Sequence, residues 1–270
     1  IETPATINVG EPFGAEVTIA ISDYGNSFGT SVHTGTIGFA GDDTQVNLPE
    51  RYTFTESDNN TKAFQDLVFY EGRGRTLWVS EVTGEMPDGY WRFDEGRGNV
   101  VVDFSGNRDN GTLTGSTRIE GAPGIAFDNS GGLRFNGANN YVITGNEIDL
   151  GNRSFTIAFW AKRIKSGEQW IVSQGTNINN QGLHVGFRND TTFSFAFWYN
   201  DLDVNVSVDN DWHHWAVTFD IGDKSQRVYR DGVLLGIRQA SSNLLSSGPL
   251  YFGKRFDNAG YFGGDLDDLR

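Results

Sequence analysis

The chain has 270 residues, with 35 acidic and 21 basic side chains and a formal net charge of −14. That field repels nucleic acid and anionic lipid headgroups, so neither is an expected partner. The absence of cysteine removes disulfide staples and thiolate metal sites, and no apolar run approaches the roughly 20 residues of a membrane span.

Glycine is abundant at 35 residues, beside 20 Phe, 9 Tyr and 7 Trp. Strands favour aromatics and hairpin turns favour glycine, so the balance predicts an all-β chain. The length suits one large or two ordinary domains. Ile1 stands where an initiator Met would be, which reads as a mature or excised fragment.

Residues 1 to 83 read as short strands between turns. Glu16 to Ser22 alternates, with Val17, Ile19 and Ile21 on one face. Asp23-Tyr24-Gly25-Asn26 is a turn, and Thr34 to Phe39, Arg51 to Thr55, Phe64 to Tyr70 and Thr76 to Val82 are strands. Turn signals at this spacing predict a β-sandwich of immunoglobulin type. The phrases SDYGN, GTIGF, LPERYTFTESDN and RTLWVSEV resemble the immunoglobulin-like repeats of large bacterial surface proteins. The resemblance implies a spacer. Residues 84 to 88, with a proline among polar residues, read as the linker to a second domain over 89 to 270.

That domain opens on YWRFDEGRGNVVVDFSGNRDNG, from Tyr90 to Gly111. Two acidic, glycine-bearing turns flank the short strand Val100 to Val102. Carboxylates and amides beside glycines offer hard oxygen ligands on a backbone able to fold around an ion. Further on the strands can be phased. Phe155, Ile157 and Phe159 share one face, and so do Phe193, Phe195, Phe197 and Tyr199. Trp215, Val217 and Phe219 oppose His214, Ala216 and Thr218, while Leu183, Val185 and Phe187 oppose His184, Gly186 and Arg188. Asp231-Gly232 predicts a type I′ hairpin.

The opening segment, together with FTIAFWAKR, GLHVGFR, DWHHWAVTFD, VYRDGVLLG, LYFGKR and the closing GGDLDDLR, resembles the bacterial laminin-G-like, concanavalin A-like jelly-roll domains. The implied fold is all-β, an immunoglobulin-like sandwich followed by a jelly roll. The resemblance also implies a structural Ca²⁺ joining the two ends of the second domain. The matching positions are Asp94, Asp103, Asn107 and Asp267. Alternation does not separate Asp267 from Asp268; the family's motif favours Asp267. The plain alternative is that Asp103 and Asn107 cap turns and Asp267 is solvated. The chain stops at Arg270, where the family's last strand runs further; either it is cut there or another segment completes the edge, and an edge left open could pair with a neighbouring chain.

Phasing also predicts a sugar platform. Ala158, Ala196 and Ala216 leave room on the face opposite the core, shared by Trp160, Trp198, His184, Arg188 and His214. If their strands are neighbours, the patch suits a glycan. Trp160 and His214 read more readily as packing; Trp198, followed by Tyr199-Asn200-Asp201, is the better contact.

Catalysis is not expected. Glu147-Ile148-Asp149 begins the Glu-x-Asp-x-x-Glu pattern of jelly-roll glycosidases, but Asn152 takes the place of the second Glu and Gly151-Asn152 reads as a turn. His213-His214 lacks a third metal ligand, and Gly96-Arg97-Gly98 precedes a strand rather than a helix. The expected role is non-catalytic adhesion at a bacterial surface or in secreted material, with a polysaccharide or glycoprotein as partner. Two rivals are a self-associating subunit of a fibre, sheath or surface layer, and an ancillary module of a larger secreted hydrolase.

Overall fold

The computed structural model describes residues 13–18, 36–41, 52–59, 61–68, 77–82, 87–95, 98–115, 117–120, 131–207 and 209–270. The chain divides into two compact units, residues 1–87 with 104–108, and residues 88–103 with 109–270.

In the first unit, β1 (Phe13–Thr18) pairs antiparallel with β4 (Thr61–Leu67). A second sheet has the order β3 (Tyr52–Thr53), β2 (Thr36–Gly41), β5 (Leu77–Val82). Buried Phe39 of β2 meets Phe64 of β4 edge-on at 4.7 Å. The strand expected over Glu16 to Ser22 is seen through Thr18; its remainder, the Asp23 turn and residues 84–86 of the linker lie outside the described residues.

The second unit is a sandwich of two antiparallel sheets. The strands in chain order are β6 (Val100–Val101), β7 (Gly111–Thr114), β8 (Thr117–Glu120), β9 (Gly131–Asn136) and β10 (Tyr141–Thr144). Then come β11 (Phe155–Arg163), β12 (Gln169–Gly175), β13 (Gly182–Asn189), β14 (Thr192–Ala196) and β15 (Asp201–Asn205). The last five are β16 (Trp212–Asp220), β17 (Ser225–Arg230), β18 (Val233–Gln239), β19 (Tyr251–Phe252) and β20 (Gly263–Asp267). One sheet runs β15-β14-β13-β12-β19-β10-β7-β6 and the other β18-β17-β16-β11-β20-β9-β8.

The period-2 pattern explains the packing. Phe193, Phe195 and Phe197 point inward from one sheet, and Ile157, Phe159, Trp215, Val217 and Phe219 from the other. Phe193 stacks flat on Trp215 across the gap, with centroids 4.0 Å apart and planes at 10°. Burying each such side chain is worth about 1.5–3 kcal/mol relative to exposure. The β17–β18 hairpin turns on Asp231 and Gly232, whose φ angles of 52° and 79° both lie in the left-handed region that a type I′ turn requires.

The final strand corrects one expectation. β20 lies between β11 and β9 rather than at an edge. Beyond it, Arg270 exchanges backbone hydrogen bonds with Ala158, and Leu269 with Trp91. Among the described residues, the outer strands of this sheet are β18 and β8.

Candidate functional site: the outer face of the eight-stranded sheet

The strand order separates the predicted platform into two. β11 and β16, which carry Trp160 and His214, belong to the seven-stranded sheet; β13 and β14, which lead to His184, Arg188 and Trp198, belong to the other. Ala158 and Ala216 face each other across β11 and β16, while Ala196 pairs with His184 across β14 and β13. The single concave patch expected from phasing therefore does not form. Alternation along a strand fixes which face a side chain takes, but not which sheet the strand joins.

Trp160 and His214 make their own edge-on pair at 5.4 Å. Burial, reinforced by the Arg270 charge, holds His214 below the usual histidine range. The His214 backbone N–H donates to Asp231 at 2.9 Å.

The other four predicted contacts are together. β14 ends at Ala196, so the alternation does not reach Tyr199. Trp198 and Tyr199 instead take successive left-handed conformations, with φ of 60° and 64°. Bulky residues rarely adopt this region, and such strain persists only where the surroundings hold it. Buried Asn200 is that hold. Its amide donates to Asn180 Oδ1 at 2.8 Å and Ser242 O at 3.2 Å, and its oxygen accepts from Ser241 N at 3.1 Å. The double bend swings Tyr199 away from the core, leaving it 84% exposed. Trp198, half-buried, stands edge-on to it at 5.9 Å.

Beneath them lies an aromatic floor. His184 is 3% exposed and lies between Trp170 at 4.4 Å and Trp198 at 5.6 Å. Its Nδ1–H donates to Gly182 O at 2.9 Å. Burial lowers its pKa to about 4, so the ring is neutral at pH 7. Phe256 closes one side, 5.8 Å from Trp198. Two glycines make this packing possible. A Cβ on Gly182 would meet the Phe256 ring at 2.8 Å, and one on Gly260, at φ 55°, would meet Trp170 at 2.3 Å.

Charges ring the floor. Arg188 reaches Asp201 at 2.8 Å and Asp203 at 3.1 Å, and Ser194 donates to the same Asp203 oxygen at 2.5 Å. Arg255 pairs with Glu168 at 2.7 Å and Asp257 at 2.8 Å, and lies 5.3 Å from the Trp198 ring. An exposed aromatic beside fixed carboxylates and guanidinium groups can stack on an apolar ring face and hydrogen-bond the hydroxyls at its edge.

The proposed metal ligands have other partners. Asp103 is buried and accepts Tyr90 N–H at 2.9 Å with one oxygen and Asp109 N–H at 3.0 Å with the other. Asp94 accepts Gly131 N–H at 2.7 Å and pairs with Arg92 at 2.9 Å; burial nonetheless raises its pKa. Asn107 is exposed, its N–H on Ser105 Oγ at 3.2 Å. Asp267 is fully buried beside Trp160 rather than solvated. Asp268, the residue that alternation could not separate from it, is the carboxylate felt by Asp94, Tyr90 and His214. Among the described residues, no group of three or more His, Cys, Asp or Glu is arranged to hold a metal.

The rejected glycosidase pattern lies outside any strand. Glu147 accepts Gly248 N–H at 3.0 Å and Asp149 accepts Gly151 N–H at 2.8 Å. Asn152, at φ 51°, is in the turn expected there.

A family model described as the concanavalin A-like lectin/glucanases superfamily matches residues 136–270, half of the chain. The chain belongs to that superfamily. Domain 4 of AbnA, a GH43 extracellular arabinanase from Geobacillus stearothermophilus solved in complex with arabinotriose, superimposes with a TM-score of 0.52 at 19% identity, covering 67% of this chain and 89% of that one. The SAP-like pentraxin of Limulus polyphemus gives 0.40 at 17%, covering 51% and 73%. The CBM40 of Ruminococcus gnavus IT-sialidase bound to α2,3-sialyllactose gives 0.42 at 16%, covering 52% and 88%. No curated protein matches the sequence.

Within this superfamily fold, three floor residues escape a reading of the sequence. Trp170 sits at a β-bulge, where the register shifts between Trp170 and Val172 and breaks the alternation. Arg255 and Phe256 lie in the loop after β19. Their one sequence signal is an aromatic set between charged residues in a segment with no strand pattern.

Proposed function

We propose that this protein is a non-catalytic carbohydrate-binding protein whose ligand seats on Trp198 and Tyr199. The observation that carries the reading is Tyr199, a large ring held almost fully in solvent by two left-handed residues and a buried asparagine. A chain gains nothing in stability from that arrangement, whereas a sugar ring gains a stacking surface. A domain of this fold, domain 4 of the arabinanase, was solved with arabinotriose, which supports an oligosaccharide as the ligand class. The target in this reading is a polysaccharide or the glycan of a glycoprotein. The protein works outside the cell, at a bacterial surface or in secreted material, and residues 1–83 form an immunoglobulin-like spacer. A glycan array tests the reading: reproducible hits lost in Tyr199→Ala and Trp198→Ala variants of unchanged melting temperature support it, and an array blank at high protein concentration overturns it.

Calcium is a separate proposal resting on the resemblance alone. An ion at the junction of the first and last segments would share the Asp103 and Asp94 oxygens with the N–H donors they now hold, using the second lone pair of each oxygen. Calorimetry with Ca²⁺ on EDTA-treated protein tests it.

A second reading is favoured by β18. This outer strand exposes Val233 at 62%, Leu234 at 47% and Ile237 at 54%. An apolar edge strand is a template for pairing with another chain, which suits a self-associating structural subunit. Sedimentation across a concentration series, repeated with Ile237→Lys, separates this from a monomeric lectin.

A further inference from the structure

The charges around the aromatic floor are unequal. Two guanidinium groups, Arg188 and Arg255, are both committed to ion pairs, and they face four carboxylates: Asp201, Asp203, Glu168 and Asp257. His184 adds no charge, because burial keeps it neutral above about pH 4. Lys254, on the same loop as Arg255, places its ammonium over the rings of Tyr141 and Tyr251, 4.0 and 4.5 Å from their centroids, and donates to Asn258. Even with it counted, the rim carries more negative than positive charge, within a protein of net charge −14.

Exposure sharpens the asymmetry. The Asp203 and Glu168 side chains are 45% and 46% exposed, above Arg188 at 36%, while Asp201 at 20% and Asp257 at 22% lie closer to Arg255 at 16%. What the rim offers an incoming ligand is therefore chiefly carboxylate oxygen. A carboxylate accepts hydrogen bonds and donates none. It pairs well with sugar hydroxyls, and poorly with a second carboxylate or a sulfate.

Resting on the carbohydrate-binding reading above, we infer that this face selects neutral sugars and rejects acidic ones. Uronic acids, sialic acids and sulfated glycans are disfavoured by charge, although the aromatic floor would accept their rings. Freeing Arg188 or Arg255 for a ligand carboxylate strands Asp201, Asp203, Glu168 or Asp257, so the arginines do not offset the repulsion.

The test uses the full chain and matched ligands. Neutral polysaccharides that retard the protein in affinity electrophoresis are compared with the same preparations after oxidation of their C6 hydroxyls to carboxylates. Lactose and 3′-sialyllactose form a second matched pair, on an array. Neutral ligands are expected to bind about tenfold more tightly than their acidic counterparts at low salt, the size expected of two excess charges several ångströms away in water. The ratio should shrink as salt rises and the Debye length falls. The double variant Glu168→Gln, Asp203→Asn removes both excess charges and should bring the ratio close to one, while either single variant should narrow it to about threefold. Equal or tighter binding of the acidic partner overturns the selectivity while leaving the glycan reading in place. Binding of neither partner overturns both.

Discussion

Trp91 and Leu269 exchange two backbone hydrogen bonds, Trp91 N–H to Leu269 O at 2.7 Å and Leu269 N–H to Trp91 O at 2.9 Å. The first and last segments of the second unit are thereby joined in one ladder. The Trp91 ring is 1% exposed, meets Phe252 edge-on at 4.8 Å, and donates its indole N–H to Asp109 O at 3.0 Å. Trp91→Ala should cost about 3–5 kcal/mol, the usual range for emptying a large aromatic site. Trp91→Phe keeps most of the volume but leaves the Asp109 carbonyl without that donor, which should cost about 1–3 kcal/mol. Urea titration of both variants measures the two figures. Equal losses would mean that packing contributes little at this junction.

His184 makes stability depend on pH in a defined window. Its folded pKa of about 4 lies below its ordinary value of 6.5 because the ring is buried. Between these values the unfolded chain binds a proton that the folded chain does not. The contribution is thus intact above about pH 6.5 and is lost as pH falls toward 4, at a cost of up to about 3 kcal/mol. Burial pushes Asp209 up, but hydrogen bonds from Arg230 and His213 hold it at about 2, so that group titrates below the window. The melting temperature should fall from pH 7 to pH 4, and His184→Phe should flatten the profile there. An unchanged slope in the variant would assign the acid sensitivity to other groups.

Asp103 offers a way to separate a structural turn from an ion site. Both of its oxygens accept backbone N–H groups, from Tyr90 and Asp109. Asp103→Ala should therefore lower stability by about 2–3 kcal/mol, with one buried and one part-buried N–H donor stranded, and by the same amount in EDTA as in Ca²⁺. Thermal unfolding in both buffers checks this. A deficit confined to the calcium buffer would put an ion on Asp103.

Much of the sandwich was legible in the residues because a half-buried strand must alternate. Phe193, Phe195 and Phe197 are in the core as that rule predicts, and the Asp231-Gly232 turn has the left-handed angles its composition implies. Sheet membership was not legible, since β11 and β13 carry the same kind of alternation yet sit in opposite sheets. That is why Trp160 and His214 looked like partners of Trp198. Tyr199 was assigned to a site, but the rule placed it with the core phenylalanines. What moves it outward is a pair of left-handed residues held by Asn200, an interaction between segments that no local pattern encodes.

The same bend gives the sharpest test of the platform. Tyr199 touches little besides Trp198, so Tyr199→Ala should leave stability within about 0.5 kcal/mol of the parent, as for other exposed side chains. Glycine, unlike alanine, relieves the left-handed strain, so Tyr199→Gly should raise stability slightly. Binding should respond in the opposite sense, because losing a stacked ring costs on the order of 1 kcal/mol or more, several-fold in affinity for any glycan bound there. Asn200→Ala should behave differently from both. It releases the bend, lowers stability through the lost buried hydrogen bonds, and weakens binding although Asn200 is itself 1% exposed. Paired melting and affinity measurements on the three variants distinguish a platform built for a ligand from an exposed ring of no consequence. Unaltered affinity in both Tyr199 variants would remove Tyr199 from the site.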